Sequence, residues 1–532
     1  MSLLRAFTTV GSYTLLSRFT GFLRDILTAS FLGAGAAADA FLIAFQFPNL
    51  FRRLFAEGAF SAGFVPIFAQ AVERDGPAKA KAFADDAASM LAAILAVFCV
   101  IMVAIMPLAL LAIAPGFDRV EGQMERATDL ARITFPYLFF ISLVSLQSGV
   151  LNALNHFAAA AATPILLNLT IVVFLLASVP LGADTAVFMA FGVSVAGVLQ
   201  YLWLAHHCRR AGVAIAFRRP RLTPEVKDLL KRMLPVAFGA GIYQLNLVAN
   251  NIMATLVSVG AVSWLYFADR VNQLPLGVVG VAVGVALLPL LSRQIQSGNE
   301  AAALANQNRA IEVCLLLTLP AAAGIGALAE PVAATLFERG AFTPADREAV
   351  AAALLMFSLG LPAFVLNKAL TPGFFGRHDT ATPVKISVGA LIANVGISLV
   401  LMQWIGHVGI ALATSLSGWI NAGLLAWVLH ARGHLVPDER LRARLPRLCA
   451  ATGLMIVALL IARAVTTASV GPVFGLDHEP AGAEIAKSMT LAALIAVGGA
   501  VFVAAAVTLR VASWSDIAAL RRAAENRPPP MA

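Results

Sequence analysis

The feature that most constrains this chain is a succession of long apolar stretches that runs from one end to the other. Of its 532 residues, 60% are hydrophobic and only 13% are charged. A helix crosses a bilayer with about 20 mostly apolar residues, and the stretches here are continuous and rich in Ala, Leu and Gly. This pattern predicts membrane-spanning helices rather than strands.

About fourteen such stretches can be distinguished, and the second is too long for one simple crossing. We therefore predict an all-α polytopic membrane protein. The predicted spans are 7–32, 37–70, 84–114, 129–155, 160–180, 185–207, 232–258, 268–291, 308–330, 349–374, 384–404, 407–430, 447–468 and 486–511.

Basic residues are concentrated in three connections, and this distribution predicts the orientation. They lie within 208–232, within 432–447 and after residue 509. With fourteen spans, all three regions fall on one side of the bilayer. Positively charged loops face the cytoplasm, so both termini are predicted to be cytoplasmic. The net charge of +9 therefore does not indicate a nucleic-acid partner.

Prolines recur in the two halves of the chain at a nearly constant offset, which predicts an internal duplication. Chance recurrence is the alternative, because the chain has 26 prolines. Repeated halves around a central site are typical of alternating-access transporters. The matched landmarks are Pro48 with Pro275, Pro66 with Pro289, Pro136 with Pro362, and Thr163-Pro164 with Thr382-Pro383.

The duplication gives a predicted domain division into two six-helix lobes with an appendage. The predicted parts are an N-terminal lobe at 1–210, a basic cytoplasmic linker at 211–231, a C-terminal lobe at 232–432, two further helices at 433–511, and a cytoplasmic tail at 512–532.

Five charged residues lie inside the first two apolar stretches: Arg18, Arg24, Asp25, Asp39 and Arg52. A charge at mid-bilayer costs about 2.5–3.5 kcal/mol on insertion scales, so such residues usually face a wet cavity or a partner. Guanidinium groups suit phosphate because they form bidentate hydrogen bonds. The sequence therefore predicts a cavity that receives an anion.

Polar residues of the first stretch recur at seven-residue intervals and so lie on one face of a helix. Arg18 and Asp25 form one such pair, and Ser17 and Arg24 form the other. The alternative is that Asp25 neutralises an arginine for structural reasons only. One carboxylate cannot neutralise both arginines.

The second stretch contains a predicted break. Pro48 removes one helical hydrogen bond and leaves the carbonyl of Ala44 without its donor, and Gly58 follows closely. A break of this kind is tolerated where it lines a cavity or forms a hinge. Arg53 and Glu57 are four residues apart, so an ordinary intrahelical ion pair is the alternative to a binding role for Glu57.

The matching region of the second half is SWLYFADRVNQLP, which carries Asp269 and Arg270. An interfacial arginine that extends toward water is the alternative interpretation of Arg270. Gly280 and Gly284 follow and allow close helix approach and sliding. The second half is otherwise less cationic, so the anion is expected to be held mainly by the first half.

No catalytic or metal-binding motif is visible. The chain contains no H-E-x-x-H and no phosphate-binding P-loop, and its eight histidines are scattered. We therefore predict a protein that is not an enzyme and that has no cofactor and no metal site. An ATP-driven pump is not expected without a nucleotide domain.

Four segments of the chain stand out: SRFTGFLRD, ADAFLIAFQFPNLFRRLFAEGAFSAGFVPIF, SWLYFADRVNQLPLGVVGVAVGVALLPLLS and FFGRHDTATPVKI. Together they resemble the MurJ (MviN) family of bacterial lipid II flippases in the MOP exporter superfamily. The resemblance extends over essentially the whole chain. It implies fourteen helices, a V-shaped central cavity between two lobes, and a groove for the undecaprenyl tail on the last two helices.

The resemblance also implies functional importance for Arg18, Arg24, Asp39, Arg52 and Arg270, and Asp25 and Glu57 match the pattern as well. This chain departs from the pattern in two places. Gln46 stands where a lysine is expected. PVAFGAGIYQLNLVANNIM has no carboxylate for a sodium ion, so sodium coupling is unsupported despite Asp379.

The implied function is outward flipping of lipid II across the bacterial inner membrane by alternating access, driven by the membrane potential or an ion gradient. Lipid II and membrane lipids are the implied partners, the chain is expected to be a monomer, and an interaction with the peptidoglycan synthesis machinery is left open. Two alternatives are an exporter of another polyprenyl-linked oligosaccharide or a drug, and a membrane glycosyltransferase.

Overall fold

The computed structural model describes residues 3–53, 60–277, 281–470, 474 and 483–511. Within these ranges the chain forms eighteen α-helices and one 3-10 helix, and contains no strand. The prediction of an all-α membrane protein is confirmed. Glu57, Gly58 and Gly280 lie outside the described residues.

The helices of the first part of the chain run from α1 to α10. They are α1 Leu3–Leu32, α2 Ala36–Arg52, α3 Ser61–Arg74, α4 Pro77–Ala104, α5 Met106–Ile113, the 3-10 helix Pro115–Arg119, α6 Gln123–Thr134, α7 Tyr137–Ala153, α8 Phe157–Ser178, α9 Thr185–Arg210 and α10 Pro224–Val257.

The helices of the second part run from α11 to α18. They are α11 Ala261–Pro275, α12 Val281–Gln296, α13 Glu300–Ala327, α14 Ala329–Phe337, α15 Pro344–Phe375, α16 Ala381–Ala431, α17 Glu439–Val470 and α18 Ala483–Thr508.

The chain divides into two compact units. The first comprises Met1–Trp264 with Phe337–Asp346, and the second comprises Leu265–Leu336 with Arg347–Ala532. Helix α10 therefore belongs to the first unit, whereas the sequence-based division begins the C-terminal lobe within this helix. That division into lobes stays a prediction.

Large apolar side chains cover the outside of the helices. Phe19 is 67% exposed, Val100 70% and Trp404 82%. Soluble monomers rarely expose extensive apolar patches, whereas hydrocarbon solvates such side chains. Among the described residues, nine helices are long and apolar enough to cross a membrane. The exact number of fourteen spans stays a prediction.

Aromatic packing organises the interior of the first unit. Phe51 of α2 makes edge-on contacts with Phe98 of α4 and Phe135, which follows α6. Phe64 of α3 stacks on Phe68 and on Phe83 of α4, with centroid distances of 5.5 and 5.4 Å. Such contacts add about 0.5–1.5 kcal/mol each beyond area burial. They fix α2 and α3 against α4.

The second unit has its own apolar core, and the predicted appendage contributes to it. Leu441 and Leu448 of α17 belong to the same buried cluster as Cys314 and Leu315 of α13. Helix α16 is interrupted at Gly406, whose φ of +57° ends the first helical segment. This break falls between the predicted spans 384–404 and 407–430.

Candidate functional site

Helix α2 continues through Pro48 to Arg52, so the proline removes one hydrogen bond without ending the helix. The carbonyl that Pro48 leaves free is satisfied by another helix. The hydroxyl of Thr134, at the end of α6, donates to the Ala44 carbonyl at 2.7 Å. Thr134 is fully buried. An unpaired backbone carbonyl would be costly here, so Thr134 allows α2 to carry a proline at this depth.

Arg24 and Asp25 form a buried ion pair on α1. The Arg24 guanidinium donates from Nε and Nη2 to Asp25 Oδ1 at 3.1 and 2.6 Å, and from Nη1 to Asn168 Oδ1 at 3.0 Å. Its Cζ lies 5.1 Å from the centroid of the Phe45 ring. Arg24 is 6% exposed and Asp25 is 3% exposed. A phosphate must therefore displace or join these groups to reach the Arg24 guanidinium.

Asn168 of α8 attaches this ion pair to the backbone of α1. Its amide nitrogen donates to the Ser17 carbonyl at 3.2 Å and to the Thr20 hydroxyl at 3.4 Å. Gly21 permits the approach, because a Cβ there would lie 3.2 Å from the Asn168 amide nitrogen. Sequence reasoning missed Asn168, although an asparagine inside the apolar segment TPILLNL was a usable signal.

Arg18 differs from Arg24 in its surroundings. It is exposed, and in the described part of the chain no acidic side chain forms an ion pair with it. Asp25, seven residues further along α1, is buried. The face predicted from the seven-residue spacing therefore presents Arg18 outward and Asp25 inward. Of Arg18 and Arg24, Arg18 has the guanidinium that an anion can contact without displacing a carboxylate.

Asp39 caps the beginning of another helix. It lies in the first turn of α2 and is 1% exposed. Its Oδ2 accepts from the Gly260 N–H at 2.6 Å, and its Oδ1 accepts from the Ser263 N–H at 2.9 Å and from the Ser263 hydroxyl. These N–H groups belong to the start of α11, where helical acceptors are lacking. A carboxylate is favoured there by the helix dipole as well.

The turn between α1 and α2 contacts the segment that Asp39 caps and a third segment near residue 341. Ser30 accepts a hydrogen bond from the Ala341 N–H at 2.7 Å. Gly260 has a φ of +89°, and a Cβ there would lie 2.6 Å from the Ala34 carbonyl oxygen. The Trp264 indole donates to Asp346 at 2.8 Å. We call this region of residues 30–39, 258–264 and 337–346 the α1–α2 junction.

Arg52 contacts a neighbour on its own helix, and Gln46 contacts α10. Arg52 Nε donates to Asn49 Oδ1 at 2.9 Å, and Asn49 donates to the Phe45 carbonyl at 2.7 Å. Gln46, the residue in place of the expected lysine, accepts from Asn251 of α10 at 2.9 Å. The predicted pair of Arg53 with Glu57 cannot be placed, because residues 54–59 lie outside the described ranges.

Arg270 lies on α11 in the second unit and contacts an aromatic neighbour. Its Nη2 donates to the Tyr266 hydroxyl at 2.7 Å, and its Cζ lies 4.6 Å from the centroid of that ring. Asp269, the adjacent residue, accepts from Gln273. The hinge candidate Gly284 falls within α12, and its hinge role stays a prediction.

Asp379, the carboxylate considered for a sodium ion, is engaged by neighbours in the loop before α16. It accepts from the Thr382 N–H at 2.9 Å and from Arg432 at 2.6 Å. The hydrogen bonds from Thr382 and Arg432 lower the pKa of Asp379 to about 2. The carboxylate is thus ionised and balanced by an arginine at neutral pH.

The structure therefore brings only some of the predicted site residues into contact with one another. The structure joins Arg24 directly to Asp25, and it places Asp39 and Arg52 at opposite ends of α2. Their roles in binding stay predictions. The contacts that complete these groups come from residues that sequence reasoning did not select, namely Phe45, Thr134, Asn168, Gly260 and Ser263.

The described residues define a polytopic all-helical membrane protein with ionisable side chains buried on its first two helices, a feature that commonly marks a substrate or ion pathway. The description "Lipid II flippase MurJ" belongs to the family model that matches residues 28–476. The chain belongs to this family. It is accordingly a multi-pass protein of the bacterial inner membrane.

Curated relatives agree over most of their length. A probable lipid II flippase MurJ of Rhizobium tropici is 45% identical over 459 residues, covering 86% of each chain. A probable lipid II flippase MurJ of Rhizobium meliloti is 42% identical over 526 residues, covering 97% of this chain and 96% of the relative. The lipid II flippase MurJ of Burkholderia cenocepacia is 37% identical, covering 82% and 86%.

Solved structures show the same fold. Lipid II flippase MurJ in an inward closed conformation matches with a TM-score of 0.75 at 22% identity, covering 93% of this chain and 97% of that chain. An inward-facing multidrug resistance MATE family transporter of the MOP superfamily matches with a TM-score of 0.66 at 18% identity, covering 78% and 94%. These similarities confirm the fold.

Proposed function

We propose that this chain is a lipid II flippase, which moves the lipid-linked peptidoglycan precursor from the cytoplasmic to the periplasmic leaflet by alternating access. Membership of the family, with the match over residues 28–476, is the observation that carries this proposal. The protein acts as a monomeric transporter and not as an enzyme. Both termini lie in the cytoplasm, as the basic connections predict.

The substrate headgroup is large, polar and anionic, so it cannot cross hydrocarbon unaided. Arg18 makes the first contact with the diphosphate, because its guanidinium is exposed. Arg24 joins afterwards, because its guanidinium is already held by Asp25 and Asn168. An incoming diphosphate competes with Asp25 for the same donors. This competition couples substrate binding to the packing of α1 on α8.

The remaining charged residues have more peripheral roles in this proposal. Arg270 offers a second cation on α11, and Arg52 extends the cationic surface along α2. Glu57 contacts the sugar and peptide portion of the headgroup. Asp39 holds the start of α11 on the α1–α2 junction. Separation of the segments that meet at this junction breaks the hydrogen bonds from the α11 N–H groups to Asp39. Asp39 therefore affects the conformational change of the transport cycle.

The membrane potential supplies a driving force for an anionic headgroup. One elementary charge gains about 2.3 kcal/mol on crossing a potential of 100 mV. At this potential a doubly charged headgroup gains about 4–5 kcal/mol. The direction is outward, because the cytoplasm is negative. Undiminished export of lipid II after collapse of the potential in intact cells would exclude this drive.

Replacement of an authentic flippase tests the function. The chain is expressed in a strain depleted of its own flippase, and periplasmic exposure of labelled lipid II is measured along with growth. We expect the wild type to restore both, the Arg18→Ala variant to restore neither, and the Arg221→Ala control in the linker to behave as wild type. Failure of the wild type at normal membrane abundance would overturn the proposal.

The depleted strain and labelled lipid II also distinguish two other functions. An exporter of drugs or of another polyprenyl-linked oligosaccharide would not support growth of the depleted strain. A membrane glycosyltransferase would polymerise labelled lipid II when the purified protein is incubated with it, and we expect no glycan polymer. The cationic character of α1 disfavours a pocket for cationic drugs.

A further inference from the structure

A groove on the first unit lies apart from the predicted site residues. Of those that the structure describes, none lines it. The groove has a volume of about 450 Å³, which is within the usual range of about 300–1,000 Å³ for ligand sites. It is bounded by α4, α7, α9 and the linker that follows α9. Its lining includes Ala92, Ala96, Phe140, Tyr201, Phe217 and Arg218.

The body of the groove is apolar. Ala92 and Ala96 provide small side chains on one face of α4, so that a depression is left between larger neighbours. Phe140 of α7 packs against Tyr201 of α9 at a centroid distance of 6.4 Å, and Tyr201 stacks on Phe217 of the linker at 6.5 Å. Phe217 remains 51% exposed. Such a surface suits a hydrocarbon chain.

One end of the groove is polar and cationic. The buried Asp85 carboxylate accepts from Lys81 at 2.7 Å, from Arg218 at 2.9 Å and from the Ala216 N–H at 2.8 Å. One carboxylate therefore meets two cations, so this cluster of three side chains carries a net positive charge. The Arg218 side chain is 54% exposed, and a guanidinium has five N–H donors. Arg218 can thus hold Asp85 and still bind a second anion.

The linker is held in place at this end by its backbone. Ser89 Oγ donates to the Asp85 carbonyl at 2.6 Å and accepts from the Arg218 N–H at 2.8 Å. Arg218 is therefore held at the groove by a hydrogen bond from its backbone N–H and by an ion pair, and it does not extend freely into water. Arg209, Arg210, Arg219 and Arg221 are close in sequence on the predicted cytoplasmic side.

We propose that this groove binds an anionic glycerophospholipid of the inner leaflet, with one acyl chain along Ala92, Ala96 and Tyr201 and the phosphate at Arg218. Charge complementarity selects the occupant, because basic pockets between transmembrane helices on the cytoplasmic side bind anionic headgroups. The bound lipid packs on Phe217 and Arg218 and so strengthens the attachment of the linker to α4. The linker joins the two predicted lobes, so this lipid influences how freely they move.

Native mass spectrometry of the full-length protein tests the site. The probe is dioleoyl phosphatidylglycerol, and dioleoyl phosphatidylcholine is the zwitterionic comparison. We expect wild type to retain one tightly bound phosphatidylglycerol in preference to phosphatidylcholine. Because one basic residue near a membrane surface contributes about 1 kcal/mol, Arg218→Gln should weaken phosphatidylglycerol binding about fivefold. The matched control Arg219→Gln should bind as wild type does.

A second pair of variants tests the apolar part without removing a partner of Asp85. Ala96→Phe fills the groove and should abolish the tight phosphatidylglycerol adduct. Val97→Phe adds the same ring on an outer surface that is 61% exposed, and should have no effect. Equal binding by Ala96→Phe and wild type would overturn the proposal. So would equal affinity for the two phospholipids, or displacement of phosphatidylglycerol from wild type by undecaprenyl phosphate at equimolar concentration.

Amide hydrogen exchange reports the effect on the linker. Added phosphatidylglycerol should slow exchange at Ala216 and Arg218 in wild type and leave it unchanged in Ala96→Phe. No slowing in wild type would contradict the linker role. These measurements do not depend on transport, so they can succeed or fail independently of the proposed flippase function.

Discussion

Thr134 donates its hydroxyl to the carbonyl of Ala44, the group that Pro48 leaves without a helical donor. The two residues are separated by 90 positions in the chain. A helix at membrane depth can contain a proline when a neighbouring helix satisfies the freed carbonyl. The geometry of α2, and with it the direction of its charged residues, therefore depends on α6.

Replacement of Thr134 by valine should destabilise the protein. The change keeps the shape but leaves the buried Ala44 carbonyl without a donor, which costs about 1–3 kcal/mol. The thermal unfolding midpoint in detergent measures the effect. Thr134→Ser retains the hydroxyl and should be milder. Thr170→Val is the matched control, because that hydroxyl donates to the Leu166 carbonyl within its own helix. A loss as large in the control would contradict the assignment.

Arg24→Ala should lower both transport and stability. The change leaves the Asp25 carboxylate buried without its guanidinium, and breaking a buried ion pair typically costs about 3–5 kcal/mol. Arg24→Lys should rescue poorly, because an ammonium cannot reproduce the fork to Asp25 and Asn168. The measurements are complementation and the Tm of the purified variant. Transport lost at an unaltered Tm would show that the pair matters to the substrate and not to packing.

Arg18→Ala should separate these two effects. The side chain is exposed, so we expect an unchanged Tm and normal membrane abundance. Transport should fall about ten- to hundredfold, the range expected for the loss of a charge-assisted hydrogen bond of about 1.5–3 kcal/mol. Flipping of labelled lipid II by the variant is the measurement. Normal flipping would remove Arg18 from the anion site.

Asp39→Ala should loosen the start of α11. The Gly260 and Ser263 N–H groups lose their acceptor, and removal of a helix cap costs about 0.5–2 kcal/mol. Amide hydrogen exchange at residues 260–263 should accelerate, and transport should fall because the α1–α2 junction no longer closes. Ser263→Ala removes only the hydroxyl contact, so its effect should be smaller. Unchanged exchange in Asp39→Ala would contradict the capping role.

The sequence predicted much of the fold because the controlling properties are local. Continuous apolar stretches made helices the only plausible solution in hydrocarbon, and the connection at Gly406 separates two predicted spans where the structure breaks α16. Pro48 likewise indicated a missing helical hydrogen bond and identified the Ala44 carbonyl as the group left without a donor. The charged residues were recognisable because a charge within an apolar stretch is costly in a membrane and so indicates a polar partner or a wet cavity.

The sequence could not assign partners to those charges. Arg18 and Arg24 are six residues apart on one helix, yet one is exposed and the other is enclosed by Asp25, Asn168 and Phe45. The proposed binding role of Asp39 gave no indication that it caps α11. Helical spacing fixes only the direction of a side chain from its own axis, and it does not say which helix lies in that direction.

The sequence alone therefore determined the class of protein, its helical character and the positions of charged residues and prolines within the apolar stretches. Tertiary structure alone decided that Thr134 supplies the donor for Ala44, that Asn168 holds Arg24, and that Asp39 accepts from Gly260, 221 residues away at the start of another helix. The reason is physical: hydropathy and backbone chemistry belong to neighbouring residues, whereas burial and hydrogen-bond partners depend on segments that packing brings together.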